Sequence, residues 1–178
     1  FIKNQSNLIT NKDIIAFLPG SRFGEIKSLF KYYHYAYEQI KIYDSKYIIF
    51  IPTLPHLEKN ILDKTKYWKI KTIVTTDIKA IEEYFLRTKI ALVCSGTASL
   101  EIAKRGIPQL VIYKLNYLTE IIASFFVKVK FANIINIFEN RMIIPELVIS
   151  GIIILFSNML RILANFILIN NLTISSVK

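Results

Sequence analysis

Short apolar runs alternate with longer amphipathic stretches through the first 145 residues of the chain. The runs at 14–18 and 47–51 are apolar at consecutive positions, a pattern typical of strands buried on both faces of a sheet. The alternation favours an α/β fold in which helices cover both faces of a parallel, Rossmann-like sheet. The predicted strands are 14–18, 47–51, 70–74, 90–93 and 110–113, and the predicted helices are 25–42, 57–65, 78–86, 97–105 and 118–127.

The first loop with candidate chemistry follows the predicted strand at 14–18. Sheets of this kind bind ligands at the carboxyl ends of their strands. Gly20 permits a tight turn with exposed backbone N–H groups, and the planar guanidinium of Arg22 suits a phosphate. Ser21 is a candidate for capping the next helix or for donating to an oxyanion. An ordinary turn with a capping serine and a solvated arginine explains these residues equally well.

The second candidate loop, Ser95-Gly96-Thr97, follows the predicted strand at 90–93. Gly96 lets the backbone approach a ligand closely, and Glu101, one helical turn on, is placed to accept hydrogen bonds from a ribose diol. The alternative is a capping box with Thr97 or Ala98 near the N-cap and Glu101 closing it. Neither a Walker A motif nor a Gly-x-Gly-x-x-Gly fingerprint occurs. Because both loops open on one sheet edge, together they predict a nucleoside diphosphate site.

The chain is strongly basic, with 23 Lys and Arg against 13 Asp and Glu and a formal net charge of +10. Such a charge suits nucleic acid, an anionic membrane surface or a phosphorylated substrate. The lysines at 64, 66, 69 and 71 are scattered, and no known nucleic-acid motif is present. We therefore predict no nucleic-acid partner and a solvated loop around these lysines.

The single cysteine, Cys94, excludes a disulfide scaffold and fits a reducing compartment. We predict that it is a small buried hydrophobe rather than a nucleophile. The only histidines are His34 and His56, which excludes a cage of several cysteine and histidine ligands, so no metal and no cofactor are predicted. His34 is expected to be a partly exposed helix residue, and His56 to lie in a loop after the second strand.

The segment 147–169 is apolar and contains one charge, Arg161. It is long enough to span a bilayer, but a charge near its middle opposes insertion. A helix packed on the domain, or a tail altered by a frameshift, fits better. We therefore divide the chain into a lobe at 1–147 and a divergent apolar tail at 148–178.

Several motifs in order resemble the donor half of lipid-A-disaccharide synthases. The run Phe-Leu-Pro-Gly-Ser-Arg-x-x-Glu-Ile at 17–26 is similar to the entry of their donor domain, and so is Cys-Ser-Gly-Thr-Ala-Ser-Leu-Glu at 94–101. Further matching segments are 106–108, 111–119, 126–131, 135–141 and 145–147. The resemblance covers about residues 1–148.

The resemblance implies the carboxy-terminal lobe of a two-domain glycosyltransferase of the GT-B type. Such an enzyme moves 2,3-diacylglucosamine from its UDP derivative to 2,3-diacylglucosamine 1-phosphate, a step of lipid A biosynthesis in Gram-negative bacteria. It inverts the anomeric centre and needs no bound metal. The implied partners are the UDP-2,3-diacylglucosamine donor, a phosphorylated lipid acceptor and the membrane surface. The implied location is the cytoplasm, peripheral to the inner membrane.

The resemblance also assigns residues to the UDP-sugar site. Arg22 would contact the diphosphate, Glu101 would hold the ribose, and the 135–141 segment would be an asparagine-containing loop that closes on the donor. The assigned residues are Gly20, Ser21, Arg22, Ser95, Gly96, Thr97, Glu101, Asn136 and Arg141.

Family enzymes are about twice as long, and their amino-terminal half carries the acceptor site and the general base. We therefore predict no catalytic residue here and expect this chain alone to be inactive unless another chain supplies that half. Two other functions remain open: a non-catalytic, membrane-associated nucleotide-binding module tethered by 147–169, and a lobe of a UDP-sugar 2-epimerase of the same fold.

Overall fold

Six parallel strands form the centre of the fold. The computed structural model describes residues 13–43, 47–94, 96–114 and 134–149. In these parts the sheet has the order β3-β2-β1-β4-β5-β6, and every neighbouring pair is parallel. The strands are β1 (Asp13–Leu18), β2 (Tyr47–Pro52), β3 (Thr72–Thr75), β4 (Thr88–Cys94), β5 (Gln109–Lys114) and β6 (Glu146–Ile149). The helices are α1 (Phe23–Tyr43), α2 (Pro55–Thr65), α3 (Ile78–Leu86), α4 (Thr97–Lys104) and α5 (Ile134–Glu139).

Apolar side chains cover both faces of the sheet, as the consecutive apolar runs predict. Ile15 and Phe17 of β1 point into a core shared with α1 and α2. Ile14 and Ala16 point into a second core that includes Phe85 of α3 and Ile102 of α4. Because successive strand residues face opposite sides, helices are needed on both faces to bury them. The predicted α/β, Rossmann-like architecture is confirmed.

The strand order reverses between β1 and β4, and this reversal locates the ligand-binding edge. From β1 the chain proceeds outward through β2 to β3, then returns to pair β4 with the other side of β1. The register aligns Leu18 at the end of β1 with Val93 near the end of β4. The loops after these two strands therefore leave side by side, at the switch point where doubly wound sheets leave a crevice.

Helix α1 is fixed to this edge by a buried tyrosine. The hydroxyl of Tyr33 is fully buried and donates to the backbone oxygen of Leu18 at 2.7 Å. Farther along α1, the ring of Tyr37 stacks on Trp68 with centroids 4.4 Å apart. Nδ1 of His34 accepts from Nε1 of Trp68 at 3.1 Å. His34 lies on a helix, as predicted, and is exposed where partial exposure was expected.

Three local features differ from the sequence predictions. His56 lies in the first turn of α2 instead of a loop, because Pro55 needs no backbone donor and can begin the helix. The segment predicted as an asparagine-containing loop forms α5 over most of its length. A sixth strand, β6, crosses the predicted boundary between 147 and 148 and pairs with β5.

The predicted helix at 118–127 lies outside the described residues, and so does the apolar tail from 150 onward. Within the described ranges, no helix combines the length and the apolar character needed to cross a membrane.

Candidate functional site

A cavity of about 500 Å³ opens at the carboxyl ends of β1, β2 and β4. It lies at the switch point of the strand order, where the sequence places both candidate loops. Six of the nine predicted site residues line it: Gly20, Ser21, Arg22, Gly96, Thr97 and Glu101. Ser95 lies outside the described residues.

The loop after β1 is shaped by Gly20 and by a carboxylate that the sequence analysis did not include. Gly20 has a φ of +117°, and a Cβ at this position would lie 2.5 Å from Oε2 of Glu25. That same oxygen accepts the backbone N–H groups of Ser21 at 3.1 Å and Arg22 at 3.3 Å. The turn therefore requires glycine, and it presents its N–H donors toward one point.

Arg22 also contacts Glu25, although its own side chain is mostly in solvent. Its Nη1 lies 3.3 Å from Oε1 of Glu25, and the arginine side chain is 82% exposed. One carboxylate thus takes two backbone donors and one guanidinium, the groups expected to hold a phosphate. The spacing Arg22-x-x-Glu25 at a helix start is a sequence signal for such a contact, because a glutamate there can reach back to the preceding backbone N–H groups.

The loop after β4 leaves the start of α4 without a side-chain cap. Gly96 is the N-cap residue, with a φ of +116°, and because glycine has no side chain it makes no capping hydrogen bond to the first helical N–H groups. The alternative of a capping box, with Thr97 or Ala98 near the N-cap and Glu101 closing it, does not form. The N-cap is Gly96, which puts Ser99 rather than Glu101 at the third helical position, and Oε1 of Glu101 accepts from Arg105 instead. Uncapped N–H groups at a helix start attract anions, and the residues at this helix start, Gly96, Thr97 and Ala98, line the cavity.

Glu101 extends from α4 at the cavity wall. Its Oε1 accepts from Nη2 of Arg105 at 3.1 Å, and its side chain is 53% exposed. Arg105 is held in turn by Glu82 of α3 through two bonds of 2.6 and 2.7 Å. A carboxylate fixed on one side and open on the other is suited to accept hydrogen bonds from a sugar hydroxyl.

The rest of the wall adds apolar surface and one unpaired hydroxyl. Leu54, Ile81 and Phe85 line the side of the cavity near β2 and α3. Oγ1 of Thr53, which also lines the cavity, is buried and has no hydrogen-bond partner among the described residues. Buried hydroxyls are normally paired, so Thr53 is a candidate ligand contact. No pattern in the sequence distinguishes it from any other threonine after a strand.

Cys94 at the base of the cavity is not a nucleophile. Burial, followed by the nearby charge of Glu25, raises the pKa of the Cys94 thiol to about 12. The thiol is therefore protonated at neutral pH and packs as an apolar side chain, as predicted. In the parts of the chain that the structure describes, no three His, Cys, Asp or Glu side chains are grouped to hold a metal ion.

The structure does not bring Asn136 and Arg141 to this cavity. Asn136 is fully buried, and its Nδ2 donates to the backbone oxygen of Ile144 at 2.7 Å. Its Oδ1 accepts the N–H groups of Ile143 and Ile144, both at 2.9 Å. Arg141 is 74% exposed and lies 3.8 Å from Glu139. In this lobe Asn136 therefore holds the segment before β6 in place, while Arg141 is a surface residue.

The cavity combines three chemical features at one edge of the sheet. The loops after β1 and β4 supply backbone N–H donors and a guanidinium, which suit a diphosphate. Glu101 supplies a carboxylate, which suits a diol. The apolar wall suits a flat or aliphatic group. This combination of groups suits a nucleoside diphosphate.

Comparisons with known proteins agree with this geometry. The model of the family described as lipid-A-disaccharide synthetase matches residues 1–152. The chain is 28% identical over 141 residues to a lipid-A-disaccharide synthase of Gluconobacter oxydans, covering 79% of this chain and 34% of that protein. It is 33% identical over 138 residues to lipid-A-disaccharide synthase 1 of Legionella pneumophila, covering 76% and 35% respectively.

The chain spans about a third of the length of these curated relatives. The family match extends over most of this chain and includes both loops that form the cavity. The chain therefore belongs to the lipid-A-disaccharide synthetase family.

Proposed function

We propose that this lobe binds the UDP-sugar donor for a lipid-A-disaccharide synthase. The reaction transfers 2,3-diacylglucosamine from its UDP derivative to 2,3-diacylglucosamine 1-phosphate. The supporting observation is the cavity between β1 and β4, where Arg22 and Glu101 line a single space. The relatives are named for synthesis of the lipid A disaccharide, and the cavity contains groups whose chemistry suits a UDP-sugar donor.

In this proposal the two loops hold the diphosphate. The N–H groups of Ser21 and Arg22, together with the start of α4, supply donors for phosphate oxygens, and the guanidinium of Arg22 adds a positive charge. As the bond from the sugar to UDP breaks, negative charge grows on the departing phosphate. Donors fixed in advance at that point lower the barrier to transfer. Glu101 binds the ribose and so fixes the position of the nucleotide relative to the two loops.

The carboxylate of Glu25 has to release these donors when the donor substrate binds. It accepts from the backbone N–H groups of Ser21 and Arg22, and its side chain is only 35% exposed. A diphosphate carries more charge than one carboxylate and can contact both loops at once, so it is the better partner for the same donors.

The charge of the chain and its family support two further proposed partners. A net charge of +10 favours a phosphorylated lipid acceptor and an anionic membrane surface. We place the protein at the cytoplasmic face of the inner membrane as a peripheral protein. Vesicle sedimentation tests this placement: the chain is expected to sediment with vesicles of anionic lipid and to remain in solution with vesicles of neutral lipid.

Calorimetric titration of the full chain with UDP tests the donor site. Saturable binding by the wild type is expected, and Arg22→Ala should weaken it by about 1–3 kcal/mol, as for loss of a charged hydrogen bond. Lys41→Ala is the matched control, because Lys41 forms a similar exposed pair with Glu38 at the far end of α1. A folded wild type that does not bind UDP would contradict the proposal.

A further inference from the structure

Arg105 joins the two helices that form one side of the cavity. It follows the last residue of α4, and its guanidinium forms a fork with the carboxylate of Glu82 on α3, at 2.6 and 2.7 Å. The same guanidinium lies over the ring of Phe85, 4.6 Å from its centroid. Its Nη2 also reaches Glu101 at 3.1 Å.

This set of contacts is more constrained than an ordinary surface ion pair. The arginine side chain is 26% exposed, and its planar head is fixed by a bidentate partner on one edge and an aromatic ring on one face. Bidentate pairing defines the orientation of a guanidinium, whereas a single contact does not. Hydrogen bonding to Arg105 also lowers the pKa of Glu82, so the anchoring carboxylate remains ionised.

Fixing the guanidinium of Arg105 also restrains its second partner, Glu101. Glu101 lines the cavity, whereas Glu82 does not. Arg105 binds Oε1 of Glu101, and no donor among the described residues bonds Oε2. One oxygen is therefore held by the protein, and the other is left for a ligand. A half-exposed glutamate without such a partner would sample several rotamers and would lose more entropy when it binds a diol.

We propose that Arg105 is a positioning residue: anchored on Glu82, it holds the Glu101 carboxylate in the orientation that accepts a ribose diol. This inference rests on the proposed function, because it assigns Glu101 to the ribose of the bound nucleotide. Arg105 itself does not line the cavity and contacts no substrate in this account.

The test separates the ribose from the phosphates. The full chain is titrated with UDP and with inorganic pyrophosphate, which lacks the sugar. Arg105→Gln should weaken UDP binding about fivefold to tenfold, within the range for losing one ordinary hydrogen bond because its effect on the ligand is indirect, and should change pyrophosphate binding less than about twofold. Lys104→Gln is the matched control, since Lys104 is the exposed neighbour on α4 and carries the same charge.

A second single variant and a double variant distinguish loss of positioning from loss of folding. Glu82→Gln leaves Arg105 in place but removes its anchor, so it should shift UDP binding in the same direction. In a Glu101→Gln background, Arg105→Gln should weaken UDP binding less than about twofold further, because the group that it positions is gone. Thermal unfolding of each variant identifies any that are not folded at the titration temperature.

Equal losses for UDP and pyrophosphate would overturn the inference, and so would full additivity with Glu101→Gln. The inference would also be overturned if Arg105→Gln and Glu82→Gln both bound UDP as tightly as the wild type. None of these three results would contradict the proposed function. Absence of UDP binding by the folded wild type would instead overturn the proposed function and this inference together.

Discussion

The carboxylate of Glu25 accepts a hydrogen bond from the backbone N–H of Ser21 at 3.1 Å, across the turn made by Gly20. The same oxygen takes the N–H of Arg22. Glu25 thus accepts from the same donors that the proposed phosphate would use. Carboxylate and phosphate oxygens both carry negative charge and accept hydrogen bonds from N–H donors. The turn is therefore already arranged to bind an anion.

Replacing Glu25 with glutamine should tighten the binding of UDP and of pyrophosphate. The amide retains an acceptor of the same shape but removes a negative charge that opposes the incoming phosphates. We expect a gain of about twofold to fivefold, within the range for removing one like charge at a partly solvated site. Calorimetry gives the affinities, and Glu38→Gln on the same helix is the control. Weaker binding would show that Glu25 shapes the loop without competing for its donors.

Replacing Gly20 with alanine should destabilise the lobe. Its φ of +117° is unfavourable for an L-residue, and the new Cβ would lie 2.9 Å from the Cβ of Glu25. We expect a loss of about 1–3 kcal/mol in the free energy of unfolding, measured by chemical denaturation. Gly24 is the matched control, since it lies in α1 and a Cβ there meets nothing within 4 Å. Gly24→Ala should stabilise the lobe by about 0.4–1 kcal/mol, and equal effects at both positions would contradict the account.

Replacing Tyr33 with phenylalanine should loosen α1 from the end of β1. The variant leaves the buried carbonyl of Leu18 without the hydroxyl that now donates to it at 2.7 Å. An unsatisfied buried acceptor costs about 1–3 kcal/mol of folding free energy, which denaturant titration can measure. Tyr67→Phe is the control, because Tyr67 is 81% exposed. A loss no larger than that of the control would show that this hydrogen bond contributes little.

The stability of the lobe should fall as the pH rises above about 9. Burial raises the pKa of Cys94 from 9.0 to about 12, and it raises the pKa of Tyr33 well above its ordinary value. Between pH 9 and 12 the folded state keeps the Cys94 proton that the unfolded state loses. Folding therefore binds protons in this window, and the free energy of unfolding declines with pH.

Cys94→Ala should remove part of this decline, which denaturant titrations at pH 8 and pH 10.5 can compare with the wild type. The native thiol should also react slowly with Ellman's reagent at pH 8 and react completely after unfolding. Rapid labelling of the folded chain would contradict the burial of Cys94.

The strands of the sheet were predictable because strands buried on both faces are apolar at nearly every position. The ends of the strands were less predictable. β3 begins two residues later and ends one residue later than predicted, and Ile70 packs in the core without pairing in the strand. The sixth strand was not predicted, because three of its four residues, 147–149, begin the apolar segment that was interpreted as one long tail. Apolar continuity alone does not show where a strand ends and another element begins.

The parts of the candidate site that depend on backbone conformation were predictable from the sequence. The parts that depend on contacts between residues distant in sequence were not. Gly20 and Gly96 mark turns with positive φ, so both loops were identified correctly. The anchoring of Arg105 by Glu82 joins residues 23 positions apart, and no local pattern reveals it. Asn136 looks like a loop residue in sequence, but its amide is used by the backbone of the following segment.

The central claim is that UDP binds between the loops after β1 and β4, and amide NMR tests it most directly. The full chain is labelled with ¹⁵N and titrated with UDP. The account predicts that the amides of Gly20 and Gly96 shift saturably, while that of Gly106, at the other end of α4, stays nearly unchanged. Saturable binding that leaves Gly20 and Gly96 unshifted would contradict the account.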